Sequence, residues 1–205
     1  MTTGQWLVEG LEALGLAREP ARIERLLAFA EMLAKWNRVY NLTRIAPGES
    51  TITRHLLDSL AIAPLIHARA VVDVGSGGGL PGIPLAIYLP AIEFVLVDSA
   101  GKKARFLEQA RIELALDNVR VVHARAEDVT GSFDIVTCRA FASLADIGRM
   151  TAHLLAPSGQ IFALKGAVPA QEIAGIQSPV TLKTIRPLTV PGVDQPRNLV
   201  IMETQ

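Results

Sequence analysis

Only one cysteine, Cys138, occurs in the 205 residues. No intrachain disulfide framework can form, and a reducing, cytoplasmic compartment is the expectation. Neither sign of charge is in excess, since 20 Lys and Arg balance 20 Asp and Glu. That balance removes global basicity as a sign of nucleic-acid binding and leaves local clustering to supply one. No uncharged apolar run reaches the roughly 18 to 20 residues that a membrane span requires. The opening Met1-Thr2-Thr3-Gly4-Gln5-Trp6 has no basic stretch followed by an apolar core, so no signal peptide is expected. Internal repeats and low-complexity tracts are also lacking. What remains is ordinary for a globular chain: 50% of residues are apolar and 20% charged. The length suits one α/β core with an appendage better than two independent domains.

The most informative stretch is Ala70-Val71-Val72-Asp73-Val74-Gly75-Ser76-Gly77-Gly78-Gly79-Leu80-Pro81-Gly82. Its β-branched run reads as a buried parallel strand ended abruptly by glycines. Glycines let the backbone turn tightly and approach a ligand that a Cβ would block. The apolar run from Ile83 reads as a helix, so the loop feeds a helix N-terminus suited to polar or anionic groups. A dinucleotide fingerprint would need Gly-x-Gly-x-x-Gly. From Gly75 that register fails at Leu80; from Gly77 it fits formally, with Pro81 and Pro84 crowding the helix start. The register Asp73-x-Gly75-Ser76-Gly77-Gly78-Gly79 instead resembles the acidic-x-Gly-x-Gly-x-Gly motif of class I S-adenosylmethionine-dependent methyltransferases.

Upstream, residues 1–66 read as a helical extension packed on a core formed by 67–205. An amphipathic segment from Trp6 to Leu14 is broken by Gly15 and Pro20. From Ala21 to Val39, Ile23, Leu26, Leu27, Ala30, Leu33 and Ala34 recur at helical spacing, opposite a charged face. A further helix is expected from Ser50 to Ile66, with Ser50 or Thr51 as N-cap and Ile52, Leu56, Leu57 and Leu60 buried. There Arg54 and His55 neighbour Asp58 and Ser59 on one surface, the usual pattern of solvated i,i+4 pairs.

Downstream, strands are expected at Glu93–Val97, Val119–Val122, Phe133–Thr137 and Ile161–Leu164. Helices are expected at Lys102–Leu116 and Ser143–Leu155, with a short one near Ala170. The segments Thr181–Val190 and Asn198–Met202 read as a closing antiparallel hairpin. Strand and helix in alternation imply a mostly parallel, Rossmann-like sheet covered on both faces. In such a sheet ligands sit beyond the C-terminal ends of the strands. Those ends carry Gly75–Gly79, then Asp98 with Lys102 and Lys103, then His123, Arg125 and Glu127, then Arg139, then Lys165. A basic rim is therefore expected around a cofactor pocket. Cations at Lys102, Lys103 and Arg105 oppose a helix dipole by about 0.3 to 1 kcal/mol each, so something anionic should lie near. Asp98, about twenty positions beyond the first glycine, is placed to accept from both ribose hydroxyls of an adenosine-type ligand. The Ala126-Glu127-Asp128 run would offer an amide and an acceptor to an adenine, or merely cap a turn.

Five ordered blocks carry a more specific resemblance. They are Trp36-Asn37-x-x-Tyr40-Asn41-Leu42-Thr43, Arg54-His55-Leu56-Leu57-Asp58-Ser59, the Asp73 to Leu85 stretch with its Gly-Leu-Pro-Gly-Ile-Pro-Leu continuation, Arg139-Ala140-Phe141-Ala142, and Lys165-Gly166. Together they resemble the bacterial small-subunit ribosomal RNA guanine-N7 methyltransferase family, formerly called glucose-inhibited division protein B. The likeness implies a class I methyltransferase fold, a seven-stranded sheet with an antiparallel end hairpin, and no metal. It implies S-adenosylmethionine as cofactor and S-adenosylhomocysteine as product. The implied acceptor is N7 of one guanine in the decoding-centre loop of 16S rRNA, with naked rRNA and the 30S subunit both open as substrate; apart from the likeness, a monomer that needs no membrane is expected.

By the same likeness Gly75, Ser76, Gly77, Gly79, Leu80, Asp98, Ala126, Glu127 and Arg139 would line the cofactor. Asn41, His55, Arg125, Arg139, Lys165 and Arg197 would face RNA or the transferring methyl group, and Arg54, Lys102 and Lys103 are expected to join that RNA-facing set as further cations. Guanine N7 has a free lone pair, so no general base is needed; positioning, by Arg139 and Lys165 at the O6 edge or a phosphate, is expected to dominate. A small-molecule methyltransferase, a dehydrogenase and a non-catalytic nucleoside-binding protein remain as rival readings.

Overall fold

The computed structural model describes residues 2–42, 52–168 and 170–205. Strand β1 (Ala70–Val74) pairs in parallel with β2 (Glu93–Asp98) on one side and β4 (Phe133–Arg139) on the other. Beyond β2 lies β3 (Val119–His123), and beyond β4 lies β5 (Leu155–Lys165), both parallel. Strand β7 (Asn198–Thr204) runs antiparallel to β5, and β6 (Val180–Pro187) closes the edge antiparallel to β7. The seven-stranded order is thus β3-β2-β1-β4-β5-β7-β6, a mostly parallel sheet with the antiparallel end hairpin expected from the pattern of elements. Because the order reverses at β1, a crevice opens between the ends of β1 and β4.

Apolar patterning explains why the parallel strands sit at the centre. Val71, Val72 and Val74 are buried, as are Phe94 to Val97 on β2, because helices cover both faces of such a sheet. The helix after the glycine turn (Gly82–Tyr88) is buried along its whole length. In the N-terminal region α1 (Thr3–Ala13) starts on a capping box, with Thr2 Oγ1 accepting from Gln5 N. Helix α2 (Pro20–Tyr40) starts with proline in its first turn and ends where Asn41 adopts φ +50°. Leu7, Leu26, Phe29 and Leu33 of these helices share one apolar cluster with Ile83, Leu85 and Phe106 of the sheet's covering helices.

Two expectations are corrected. The helix expected from Ser50 to Ile66 is not continuous: a π-helical turn (Ile52–Leu57) leads into a short α segment (Asp58–Leu60) and then a 3-10 turn (Ala63–Leu65). Ser59 Oγ donates to His55 O at 2.6 Å, a back-bond that bends helices, and Pro64 ends the regular ladder. Leu56, Leu57 and Leu60 are buried as expected; the proposed caps Ser50 and Thr51 lie outside the described residues. Strand β5 begins at Leu155 rather than Ile161. Its Pro157-Ser158-Gly159 run reads as a turn, and the pairing with β4 shifts register there, with Ser158 at φ +65°. An irregularity inside a strand looks like a loop in sequence.

Candidate active site

At the C-terminal ends of β1 and β2 the glycine turn borders a cavity of about 330 Å³, lined among others by Gly75, Asp98, Ser99, Ala126, Glu127 and Phe141. Backbone geometry builds this wall. Gly75 adopts φ +71°, and a Cβ there would overlap the Phe141 ring. Its N–H and that of Ser76 donate to Val97 O at 2.9 and 3.0 Å, tying the turn to β2. Ser76 itself faces inward, its hydroxyl donating to Asp73 O and accepting from Val97 N.

Asp98 closes the same turn from the β2 side. Gly77 N donates to one carboxylate oxygen and Ala100 N to the other, each at 2.9 Å. Lys103 Nζ stands 3.6 Å from that carboxylate, which supplies the anion expected near the first-turn cations. Lys102 reaches elsewhere, donating to Tyr40 O at 3.3 Å. Asp73 lies beneath the loop, accepting from Thr137 Oγ1 and Gly82 N. Full burial pushes its carboxyl up to about 6.

A second cavity of about 280 Å³ is lined by Arg54, Asp58, Arg139, Lys165 and Arg197, with Leu164 and Leu188 as apolar walls. Ala140 lines both cavities. It takes φ +50° immediately after β4, a strained position for a residue with a Cβ.

The polar groups of the second cavity form a buried network rather than the solvated pairs that their spacing suggested. Asp58 accepts from Arg139 Nη1 at 2.8 Å and from Arg197 Nε at 3.1 Å. Arg139 Nη1 also donates to Arg54 O, and its Nη2 lies 2.8 Å from His55 Nδ1. His55 is only 2% exposed, and burial, helped by the Arg139 cation, drives its pKa down to about 3. The imidazole is therefore neutral and accepts through Nδ1. Burial raises the Asp58 carboxyl while the two guanidiniums pull it back. Lys165 Nζ donates to Ala142 O at 2.8 Å and to Glu172 at 2.7 Å.

The residues singled out from sequence therefore separate. Gly75, Asp98, Ala126 and Glu127 meet at the first cavity, joined by Lys103 and Arg125. Gly79 and Leu80 are not among the residues lining the first cavity: a Cβ on Gly79 would press on Ile83, and Leu80 is buried. Arg139 lines the second cavity, with Arg54, Lys165 and Arg197. His55 stands behind Arg139 rather than facing outward. Asn41 is exposed at the end of α2 and lines neither of these cavities. Sequence reasoning missed Asp58 as the centre of the cluster and missed Met150, an apolar helical position with no distinguishing signal. Phe141 was visible within the Arg139-Ala140-Phe141-Ala142 block, without a reason to place it on Gly75.

Residues 22–200 match the family model described as rRNA small subunit methyltransferase G. The chain belongs to that family. Proteins named ribosomal RNA small subunit methyltransferase G from Aromatoleum aromaticum and Neisseria meningitidis are 48% and 47% identical to it. The first alignment covers 96% of this chain and 97% of the relative, the second 94% of each. TrmN from Thermus thermophilus shares the fold with a TM-score of 0.57 at 21% identity, over 73% of this chain and 48% of its own. The ribosomal protein L11 methylase from Lactobacillus delbrueckii subsp. bulgaricus does so with a TM-score of 0.55 at 17%, over 73% and 77%. Family membership makes this chain a methyltransferase of the class I fold. No described helix is long and apolar enough to cross a membrane.

Proposed function

We propose that the protein transfers the methyl group of S-adenosylmethionine to N7 of a guanine in the decoding-centre loop of 16S rRNA, acting in the cytoplasm as a monomer on rRNA or the 30S subunit. The observation that carries this reading is the pair of cavities that share Ala140: a glycine-and-carboxylate cradle on one side, a cluster of cations on the other.

The cradle fits an adenosine-type cofactor. Its volume lies at the lower end of the range for ligand pockets. Each Asp98 oxygen accepts one backbone N–H, and a carboxylate offers about four lone-pair sites, so capacity is left for ribose hydroxyls. Gly75 without a Cβ and the Phe141 ring against it shape the wall of this first cavity. When bound, the cofactor would supply an electrophilic sulfonium methyl; the chain's own contribution is to hold the acceptor in line with it.

Positioning suffices for that step. Guanine N7 attacks with a lone pair that carries no proton, and holding the reacting atoms about 3 to 3.5 Å apart can supply roughly 7 to 11 kcal/mol. The titratable groups agree with such a mechanism. His55 is neutral and buried, Asp73 is sealed beneath the loop, and burial pushes the Cys138 thiol up to about 12. Arg139, Lys165 and Arg197 offer donors to the guanine O6 edge and a phosphate, leaving N7 free to attack. A small-molecule acceptor of apolar character is disfavoured by so charged a second cavity.

Labelled methyl transfer into 16S rRNA from an unmethylated strain tests the reading. Label recovered as 7-methylguanosine at a single position is the expected result. Label on protein or small molecules alone, or on another base atom, would overturn it.

A further inference from the structure

The centre of the second cavity is a carboxylate, which is unexpected for a surface that must meet polyanionic RNA. Asp58 has side-chain exposure of 9% and bridges two arginines that are distant in sequence, Arg139 from the end of β4 and Arg197 from the segment before β7. A guanidinium carries five N–H donors. Arg139 gives three of them to Asp58, Arg54 O and His55. Arg197 gives one to Asp58 and one to Pro196 O, so among the described residues it keeps the larger share of unengaged donors. Arg197 O also accepts from Leu188 N at 2.7 Å, pinning an apolar wall of the cavity to the same residue. With Lys165 held by Glu172, Arg54 and Arg197 are the groups best able to take a phosphate, while Leu164 and Leu188 offer a face for a ring.

We propose that this second cavity receives the acceptor nucleotide and that Asp58 is its positioning residue, holding Arg197 for the nucleotide's phosphate and Arg139 next to Ala140, the residue that lines both cavities. The inference rests on the RNA-methyltransferase reading above and adds the place of the acceptor and the group that shapes it. Asp58 removes one unit of positive charge from the rim, which weakens nonspecific attraction to RNA, and in exchange fixes two guanidiniums in one geometry. Its role is therefore in the arrangement of the bound nucleotide rather than in gathering RNA.

That division predicts an unusual kinetic split. Asp58→Asn keeps both arginines and removes the carboxylate that opposes them, so KM for 16S rRNA or the 30S particle stays within about twofold or falls. Turnover drops by about tenfold or more, because misplacement by about 1 Å can cost on the order of a hundredfold. Calorimetric titration with S-adenosylhomocysteine counts competent enzyme and should give unchanged stoichiometry and affinity, since Asp58 does not line the first cavity. Arg197→Ala should do the reverse, raising KM severalfold and lowering the log–log salt slope of RNA binding by about 0.7 for one lost single-strand phosphate contact. Lys183→Ala, on the far edge strand, serves as the control and should leave both parameters unchanged.

Loss of turnover without a rise in KM in Asp58→Asn, at full cofactor stoichiometry, supports the proposal. A rise in KM matching the fall in turnover, or wild-type turnover in that variant, overturns it. Should Asp58→Asn fail to fold, Arg197→Ala decides: an unchanged KM and salt slope overturns the proposal, and the expected shifts support it. A wild-type enzyme that labels no rRNA at all would instead remove the functional reading itself, a result separable from any failure of the variants.

Discussion

The two cavities that meet at Ala140 are built by opposite means. The first is made by backbone geometry at two adjacent strand ends: Gly75 at φ +71°, N–H groups of consecutive turn residues on Val97 O, and Asp98 stitching Gly77 to Ala100. The second is made by side chains that arrive from three remote parts of the chain and converge on one carboxylate. A wall of backbone is set once the strand and turn form. A wall of paired charges exists only after the sheet has closed and the N-terminal helices have packed on it. Damage to one end of the site should therefore look different from damage to the other.

Gly75→Ala should separate the two ends most sharply. The left-handed backbone and the Phe141 ring both oppose a Cβ at this position, so calorimetry should detect no heat with S-adenosylhomocysteine while binding to 16S rRNA persists. Equal loss of both affinities would mean that the two cavities are not independently built. Asp58→Ala should show the converse on stability. Stranding two mostly buried guanidiniums costs about 3 to 5 kcal/mol, read as a lower denaturant midpoint with little change in slope. A cost below about 1 kcal/mol would reduce the network to ordinary surface pairs. Asp98→Asn is expected to weaken cofactor binding by about tenfold, through loss of charge-assisted hydrogen bonds, with RNA affinity retained; unchanged cofactor binding would remove Asp98 from the first cavity's chemistry.

A subtler contrast comes from pH. His55, held at about 3 against an ordinary 6.5, is protonated first in the unfolded chain. It adds nothing above about pH 6.5 and destabilises progressively as pH falls from there towards 3. Asp73, raised from 3.8 to about 6, works in the other direction: the folded state takes up its proton first, so stability falls as pH rises through 3.8 to 6. The two slopes oppose between about pH 4 and 6. His55→Gln should consequently destabilise at pH 7, and the penalty should shrink or reverse by pH 4. A pH-independent penalty would show that His55 is not buried neutral beside Arg139. Smallest of all should be the effect of pH on turnover near neutrality. An essential base with a pKa near 7 would contradict methyl transfer by positioning alone.

Legibility in the sequence followed the same divide. The parallel strands are readable because residues such as Val71, Val72 and Val74 and the run from Phe94 to Val97 are buried and β-branched or apolar, and the turn after β1 is written in glycine. Asp98 was readable because it falls directly after β2. Arg54-His55-x-x-Asp58-Ser59 is visible as a cluster, but i,i+4 spacing points to solvated pairs because it does not reveal whether a helix face meets water or another element. Ser59's back-bond and Pro64 also broke a helix that apolar spacing alone makes continuous. Strand β5 extends beyond its apolar run because its register shift carries residues typical of a turn.

The sequence by itself determined the alternation of strands and helices, the glycine cradle and the carboxylate that closes it, because these depend on residues within a few positions of one another or at successive strand ends. Only the tertiary structure decided that Asp58, Arg139 and Arg197 form one node, that His55 lies behind it uncharged, and that Ala140 stands between the two cavities. Those facts arise from packing across more than half the chain, where burial sets the charge state of each group and no local spacing carries the information.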